Sequence, residues 1–304
     1  MKSDQLLTGF EAEHIPSRSG ARFPDGADFR IEIPSVEGPE VLAAVIAEAA
    51  QRGVVVNRVS QGSGAMLHTT RELKDMSRLA HDAGIEISLF VGPREEWGIG
   101  AMSRSPEAAA LAGSIRGMRQ LRYAVEDCLR AIECGIRGLL IADLGLLNVL
   151  NEAKIAGSIP QDVVFKLSVM KAPSNPATVK LVEKIGANTI NLPTDLSLKE
   201  LAEIRSATTL PIDLYVEAPD PLGGVVRGNE IVDLVKVSSP LYAKFGLRNS
   251  RPLYPSGLHI QADAIAIARE KVRRAEISME WLKRIDSALV QSPAGAKDSG
   301  IPQV

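Results

Sequence analysis

The sequence predicts an α/β protein: a (β/α)8 TIM-type barrel that forms one domain with a long C-terminal helix. Eight short β-rich runs alternate with turns and helical patterns within about 250 residues, the pattern typical of this barrel. The predicted strands cover 29–34, 54–60, 85–91, 138–143, 163–170, 189–193, 212–218 and 241–247. The clearest helices cover 39–52, 70–83, 114–134, 176–185 and 198–207, with apolar residues three and four positions apart. Glycine follows four of these helices, where a left-handed C-cap is favoured.

An open, doubly wound sheet is the alternative fold. It usually has five or six strands, and no G-x-G-x-x-G follows the first strand here. The barrel is therefore favoured. We expect residues 1–28 to be an N-terminal extension, 29–285 the barrel domain and 286–304 a flexible C-terminal tail. The last helix, predicted over 262–284, carries apolar residues on more than one face, which predicts a homo-oligomer.

Composition narrows the classes of partner and compartment. The net charge of −2 and the aromatic content of 4% favour neither nucleic acid nor an anionic membrane as partner. A small molecule is the expected ligand. Two cysteines do not make a disulfide framework, and no apolar run is long enough to span a membrane. The acidic start MKSDQLLTGFEAEH does not resemble a signal peptide, so we expect a cytoplasmic protein.

Strand alternation predicts charged side chains inside the barrel. In the first strand, Phe29, Ile31 and Ile33 should face the helices, and the residues between them should face inward. Applied to the other strands, the same rule places these charged residues inside: Arg30, Glu32, Glu86, Lys166, Asp213, Glu217, Lys244 and Arg248. Burying an ion costs several kcal/mol unless it is paired. Such a cluster is therefore typical of a site that carries out chemistry.

Depth along the strands separates these residues into two groups. Arg30, Glu86 and Asp213 come early in their strands, so we expect paired plugs near the bottom of the barrel. Active sites of this fold lie at the carboxyl ends of the strands. The residues nearer that end are the candidate catalytic set, namely Glu32, Lys166, Glu217 and Lys244.

The loops that follow the strands supply candidate binding groups. Arginine clamps anions through its planar fork, glycines let backbone N–H groups approach phosphate, and polar side chains orient a substrate. The candidate substrate-binding residues are Arg58, Gln61, Lys171, Asn191, Gly223, Gly224, Arg248 and His259. The long loop 92–109, with Trp97 between glycines, is a candidate lid.

The carboxylates of the strands and loops also allow a divalent metal site. Four scattered histidines do not favour a His-rich zinc site, whereas Mg²⁺ or Mn²⁺ accepts carboxylates alone. The carboxylates considered for such a site are Glu32, Asp143 and Glu217.

Two stretches carry a family resemblance: IRGLLIADLGLLNVLNE (136–152) and GANTINLPTDLSLKELAEIRSATTLPIDLYVEA (186–218). They resemble the collagenase-like peptidase family U32, in which a strand ends in D-L-G before a helix, here Asp143-Leu144-Gly145. The resemblance implies a barrel. Some relatives carry an iron–sulfur cluster, but this chain lacks the cysteines for it, so none is expected. Many relatives have His-Gly after the seventh strand, where this chain has Glu217-Ala218-Pro219.

Three functions remain open. The first is an enzyme of lyase or aldolase type that acts on a small carboxylate or phosphate metabolite, with Lys166 or Lys244 as the reactive amine. The second is a peptidase-like or C–N bond hydrolase that uses carboxylates, with or without a metal. The third is a barrel that binds a metabolite without catalysis.

Overall fold

A computed structural model describes residues 14–296 and 299–304, apart from the side chains of residues 107 and 109. Eight parallel strands pair in sequence order, and the last pairs with the first, so the sheet is a closed barrel. The strands are β1 (Phe29–Pro34), β2 (Arg58–Gln61), β3 (Glu86–Phe90), β4 (Gly138–Ile141), β5 (Val164–Leu167), β6 (Thr189–Asn191), β7 (Ile212–Glu217) and β8 (Leu241–Phe245). The predicted (β/α)8 fold is confirmed.

Helices follow the strands on the outside of the barrel. They are α1 (Pro39–Arg52), α2 (Thr70–Asp82), α3 (Gly117–Glu133), α4 (Leu144–Ile155), α5 (Pro176–Lys184), α6 (Leu198–Arg205), α7 (Ile231–Ser238) and α8 (Gln261–Ile285). Local sequence fixes several starts. Thr69 and Glu72 form a capping box at α2, and Ser197 and Glu200 form another at α6. In the described part of the chain, no helix is both long and apolar enough to cross a bilayer.

The apolar core lies between the barrel and its helices. Ile31 and Ile33 of β1 are fully buried there, as are Leu214 of β7 and Ala243 of β8. These positions alternate with the charged residues, as the sequence pattern predicts. Helices cover the outer face of the strands, which explains the branched apolar residues there. The inner face is buried as well, so its charged side chains need partners.

The C-terminal segment differs from its prediction as a flexible tail. Residues 289–296 run along the bottom of the barrel, where Gln291 bridges Phe29 in parallel and the N–H of Val290 donates to the Asp28 carboxylate over 2.9 Å. Further on, the N–H of Gly300 donates to Glu86 over 3.1 Å. Most of these bonds are made by the main chain, so the small residues of this segment give no sign of them in the sequence.

Residues 14–28 of the N-terminal extension also close the bottom of the barrel. Phe23 packs edge-on against Tyr242, with 5.2 Å between the ring centroids, and the guanidinium of Arg30 lies 4.1 Å above the Phe23 ring. The earlier part of the extension lies outside the described residues. The bottom is therefore covered by both chain termini, which leaves the carboxyl ends of the strands as the open face.

Candidate active site inside the barrel

Glu32 lies at the centre of a buried charged cluster. Its carboxylate accepts hydrogen bonds from Arg58 Nε at 2.7 Å, Ser60 Oγ at 2.7 Å and Lys166 Nζ at 2.5 Å. Register explains the convergence, since Glu32 pairs with Arg58 on one side and with Lys244 on the other. Glu32 and Lys166 are both fully buried. The sequence-predicted pair of Lys and Glu is thus brought together.

Lys244 lies next to this pair but is held differently. Its Nζ is 3.6 Å from Glu32 Oε1 and donates a hydrogen bond to the side-chain oxygen of Asn191. The same ammonium lies 4.2 Å from the centre of the Tyr215 ring. Lys244 therefore has one neutral acceptor, one aromatic face and an ion pair with Glu32 at 3.6 Å, which is longer than the 2.5 Å contact of Lys166.

Asp213 belongs to this cluster rather than to a separate plug. Its carboxylate accepts hydrogen bonds from Arg58 Nη2 and from Thr189 Oγ1, the latter at 2.6 Å. Arg58 thus bridges Glu32 and Asp213, and its guanidinium stacks 3.3 Å from the Tyr242 ring. Arg58 is fully buried among these partners. Arg58 therefore holds the cluster together, and its side chain does not project from the mouth of the barrel as a substrate-binding arginine would.

Arg30 and Glu86 form the deeper pair that the sequence predicts. Arg30 Nη1 donates to Glu86 at 3.1 Å and to the Tyr242 hydroxyl at 2.8 Å. The Tyr242 hydroxyl donates to the same carboxylate at 2.5 Å. The N–H of Gly300 also donates to Glu86, so hydrogen bonds among the described residues close this layer as a plug.

Charge balance sets the protonation of the cluster. Arg58 is always charged, and Arg58, Lys166 and Lys244 outweigh the effect of burial to hold the pKa of Glu32 well below its usual range. Two carboxylates, Glu32 and Asp213, thus face three cationic side chains, Arg58, Lys166 and Lys244. Burial and then the Arg58 charge lower the pKa of Lys166, and burial lowers the pKa of Lys244 to about 8. Both lysines therefore lose their proton at a lower pH than an exposed lysine does.

Glu217 is not inside the barrel, contrary to the strand-alternation prediction. A register shift between Tyr215 and Glu217 places Glu217 beside Phe245, a helix-facing residue. Its carboxylate accepts the N–H of Arg248 at 3.0 Å and lies 3.6 Å from Arg274 of α8. A bulge reverses the alternation, and no residue type in the sequence announces it. Glu217 supports the β8 loop from outside the cluster.

The three carboxylates considered for a metal do not converge. Asp143 caps α4 through Leu146 N and also accepts Ile115 N, both at 3.0 Å. Glu32 is surrounded by cations, and Glu217 lies in the helix layer. Among the described residues, no group of three or more His, Cys, Asp or Glu side chains has the geometry of a metal site.

The Gly223-Gly224 turn is already satisfied by its own backbone. Gly223 N donates to the Asp220 carbonyl at 3.0 Å, and Gly224 N donates to the Pro219 carbonyl at 3.3 Å. Both glycines have positive φ, 93° and 61°, so they are required by the turn. Neither N–H is free to bind phosphate. Arg248 lies beside this turn with its side chain 59% exposed and its Nε 3.7 Å from Asp220.

Three other predicted binding residues have local roles. The Gln61 amide bonds to both backbone groups of Gly64 and so fixes the turn after β2. Lys171 Nζ donates to the Ala110 carbonyl at 2.6 Å and tethers the loop after β3. His259 is exposed in a short 3₁₀ turn before α8. The structure does not place these side chains with the cluster.

The candidate lid after β3 is anchored at its first turn. The Arg94 guanidinium lies 3.8 Å from the Phe90 ring and 4.0 Å from the Trp97 ring, and it donates to the Gly62 carbonyl. Further along, Ile99 is 98% exposed. The loop is thus pinned across the end of β2, while its middle projects into solvent.

Access to the cluster is closed in this structure. Lys244 is only 2% exposed. Two cavities of about 530 and 900 Å³ lie along α6 beside the N-terminal segment, and no cluster residue lines either of them.

Ser60, Thr189 and Tyr215 contact the cluster, but the sequence predicts no role for them. The inward positions of Ser60 and Tyr215 could be inferred in part. Ser60 is two residues after Arg58, hence on the same face of β2, and Tyr215 lies between the inward Asp213 and the bulge. The alternation of side chains along a strand does not predict which residues of different strands touch. Those contacts depend on the register between strands that are distant in sequence.

Comparison with known proteins gives one family match. The model of peptidase family U32 matches residues 113–218, which run from the start of α3 through β7. Among the curated proteins, none matches this chain.

Solved structures with a similar chain course share little sequence. A U32 peptidase is 18% identical, with 69% of this chain and 75% of that one covered, at a TM-score of 0.42. Thiamine phosphate pyrophosphorylase from Pyrococcus furiosus is 12% identical, covering 84% and 98%, at 0.46. A protein of the dihydrodipicolinic acid synthase family from E. coli, in complex with pyruvate, is 13% identical, covering 85% and 84%, at 0.43. The family match over residues 113–218, about a third of the chain, confirms the resemblance seen in the sequence.

Proposed function

We propose that this barrel is an enzyme of lyase or aldolase type, in which Lys244 forms a Schiff base with a small anionic carbonyl compound. The observation that carries the proposal is the environment of Lys244. It is buried at 2% exposure, its pKa is lowered to about 8, and the carboxylate that could fix it as a cation is already occupied by Lys166 and Arg58.

A buried amine with a lowered pKa is partly neutral near pH 7.5, and its neutral form is a nucleophile. Its nitrogen adds to the carbonyl carbon, and the carbonyl oxygen leaves as water together with the two amine hydrogens, which gives an imine. Lys166 is the less suitable amine because both oxygens of Glu32 hold it. Glu32 remains ionised, so in this proposal it stabilises cationic intermediates and does not itself carry protons.

The preference for an anionic substrate is supported by the cations around the Lys244 amine and by Arg248 at the mouth of the barrel. Arg58 and Lys166 share the acceptor Glu32 with Lys244, and the exposed Arg248 follows the strand that carries Lys244. A substrate with its carbonyl at Lys244 and a carboxylate or phosphate nearer Arg248 would satisfy both ends. The proposed ligand is therefore an oxo acid or a phosphorylated carbonyl compound.

Reduction with borohydride in the presence of 2-oxo acids tests the proposal. Pyruvate is the first probe, and peptide mapping should locate the reduced adduct on Lys244. Lys271 is an internal control, because it is also buried with a pKa of about 8 but donates to the Pro34 carbonyl outside the barrel. The exposed Lys180→Met variant should label as the wild type, and Lys244→Met should not label.

Absence of an adduct on Lys244 with every acid tested would reject the covalent chemistry. Adducts spread over exposed lysines, or on Lys271, would show general amine reactivity and would count equally against it. Tight binding of a 2-oxo acid without an adduct or turnover would favour the non-catalytic barrel.

A hydrolase is the second candidate, and the family match favours it. That match covers Lys166, Asn191 and Asp213 of the cluster but stops before Lys244. In this candidate, a buried lysine would act as a base toward water at a C–N bond. Release of amine from small amides or peptides, lost in Lys166→Met while the fold survives, would support it over the Schiff-base chemistry.

A further inference from the structure

Asn191 makes two hydrogen bonds that together determine how its side chain meets Lys244. Its Nδ2 donates to the Leu167 carbonyl of β5 at 2.6 Å, and its Oδ1 accepts from Lys244 Nζ. The first bond decides the orientation of the amide, because only the nitrogen end can donate to a carbonyl. The oxygen is therefore the end presented to the lysine, whichever way the lysine titrates.

We propose that Asn191 is a positioning residue, which holds the Lys244 amine through an uncharged acceptor and so keeps it available as a nucleophile; this inference deepens the proposed function and rests on it. An amide oxygen accepts an N–H from either the ammonium or the neutral amine. When the amine is neutral, that bond uses one of its hydrogens and leaves the lone pair free.

The neighbours of Lys244 show why an uncharged acceptor matters at this position. The titratable and charged groups that act on Lys244 are Glu32 of β1, Arg58 of β2, Lys166 of β5 and Tyr215 of β7. Asp213 of β7 and Tyr242 of β8 contact Arg58 instead. The nearest carboxylate oxygen is that of Glu32, at 3.6 Å, and cations already occupy it. A carboxylate at position 191 would instead contact Lys244 directly and hold it as an ammonium ion.

Two substitutions of Asn191 separate the effect of a charge next to Lys244 from the effect of losing the hydrogen-bond acceptor. Asn191→Asp places a negative charge against Nζ and should raise the Lys244 pKa by at least about one pH unit. At pH 7.5 the neutral fraction would fall from about one quarter to about 3%, roughly an eightfold loss of trapping rate that raising the pH recovers. Asn191→Ala removes the acceptor without adding charge. Its trapping rate should stay at least about tenfold low even at pH 10, with the KM for pyruvate little changed.

Nitrogen-15 NMR of the lysine Nζ measures the Lys244 pKa without any substrate, with Lys244→Met to assign the signal. A raised pKa in Asn191→Asp, together with a pH-independent loss in Asn191→Ala, is the expected result. An unchanged Lys244 pKa in Asn191→Asp, or wild-type trapping by Asn191→Ala at pH 10, would overturn the inference.

The adduct assay and the NMR titration test the two proposals separately. If the wild type forms no adduct with pyruvate or any other 2-oxo acid, the proposed function fails, while the NMR titration still decides whether Asn191 controls the amine. If Asn191→Asp does not fold, Asn191→Ala still tests the inference. Its trapping rate should be low at every pH, while its KM for pyruvate stays close to the wild-type value. A merely structural role would reduce both variants alike at every pH and leave the pKa of any folded variant unaltered.

Discussion

Replacing Glu32 with glutamine should destabilise the barrel strongly, because Glu32 is the acceptor that the buried cations share. The substitution keeps the shape of the side chain but removes the charge that faces Arg58, Lys166 and Lys244. Asp213 still balances Arg58, so Lys166 is left buried with an uncharged acceptor. Removing one partner of a buried ion pair typically costs about 3–5 kcal/mol.

Thermal and urea unfolding measure this cost. The melting temperature of Glu32→Gln should fall by roughly 6 °C or more, since each kcal/mol shifts a large domain by about 2–4 °C. Glu96→Gln is the matched control, because the Glu96 carboxylate is 46% exposed and pairs with Arg94 only at 3.6 Å, so its removal should cost less than about 1 kcal/mol. Adding Lys166→Met to Glu32→Gln removes the stranded cation and should recover part of the loss.

The dependence of stability on pH in the acidic range is a second test of Glu32→Gln. The folded pKa of Glu32 is below the unfolded value of about 4.3, so its contribution is complete above that value and is lost as the pH falls through the folded pKa. Glu32→Gln should therefore show a shallower acid dependence. Equal melting temperatures for Glu32→Gln and Glu96→Gln would refute the assignment of Glu32 as the shared acceptor.

Three further predictions follow from the same geometry. The rate of adduct formation on Lys244 should rise with pH through about 8 and then level off, because the amine becomes neutral there; a flat profile from pH 6 to 10 would contradict this. Arg248→Lys should raise the KM for a 2-oxo acid more than it lowers kcat, since lysine lacks the bidentate fork, and steady-state kinetics measures the split. Gly84→Ala should destabilise more than Gly53→Ala in urea unfolding. Both glycines have φ of 63°, but a Cβ on Gly84 would meet Gly295 N at 2.8 Å while one on Gly53 meets nothing, so equal losses would mean that the C-terminal segment adds no stability.

The regular part of the fold was predictable because it depends on local patterns. Eight strands could be located from runs such as FRIEIP, and the ring of outward apolar residues follows from alternation alone. Strand ends were less accurate, as in β5, which ends at Leu167 because Ser168 caps a 3₁₀ turn. The prediction of Lys166, Lys244 and Glu32 as inner residues rests on the same alternation and agrees with the structure.

The remaining parts of the site depend on features that have no local signature. The bulge before Glu217 reverses one side chain, and the free N–H groups expected of Gly223-Gly224 are used by the turn itself. Asp213 comes early in its strand yet reaches Arg58, because the strands of a barrel are staggered relative to one another. Burial could be inferred from the pattern, but the pairing of each charge could not.

Closure of the ring has a consequence for how the chain is made. Arg30 and Tyr242, neighbours across the β1–β8 seam, are separated by 212 residues. At about 5–20 residues per second, β1 emerges roughly 10–40 s before the strand that will cover its open edge. Inward-pointing charges on an edge strand discourage its pairing with other chains. Arg30 and Glu32 would therefore protect the nascent barrel from aggregation until β8 is synthesised. The charged residues that later lie inside the barrel would thus also keep its first strand from pairing with other chains during synthesis.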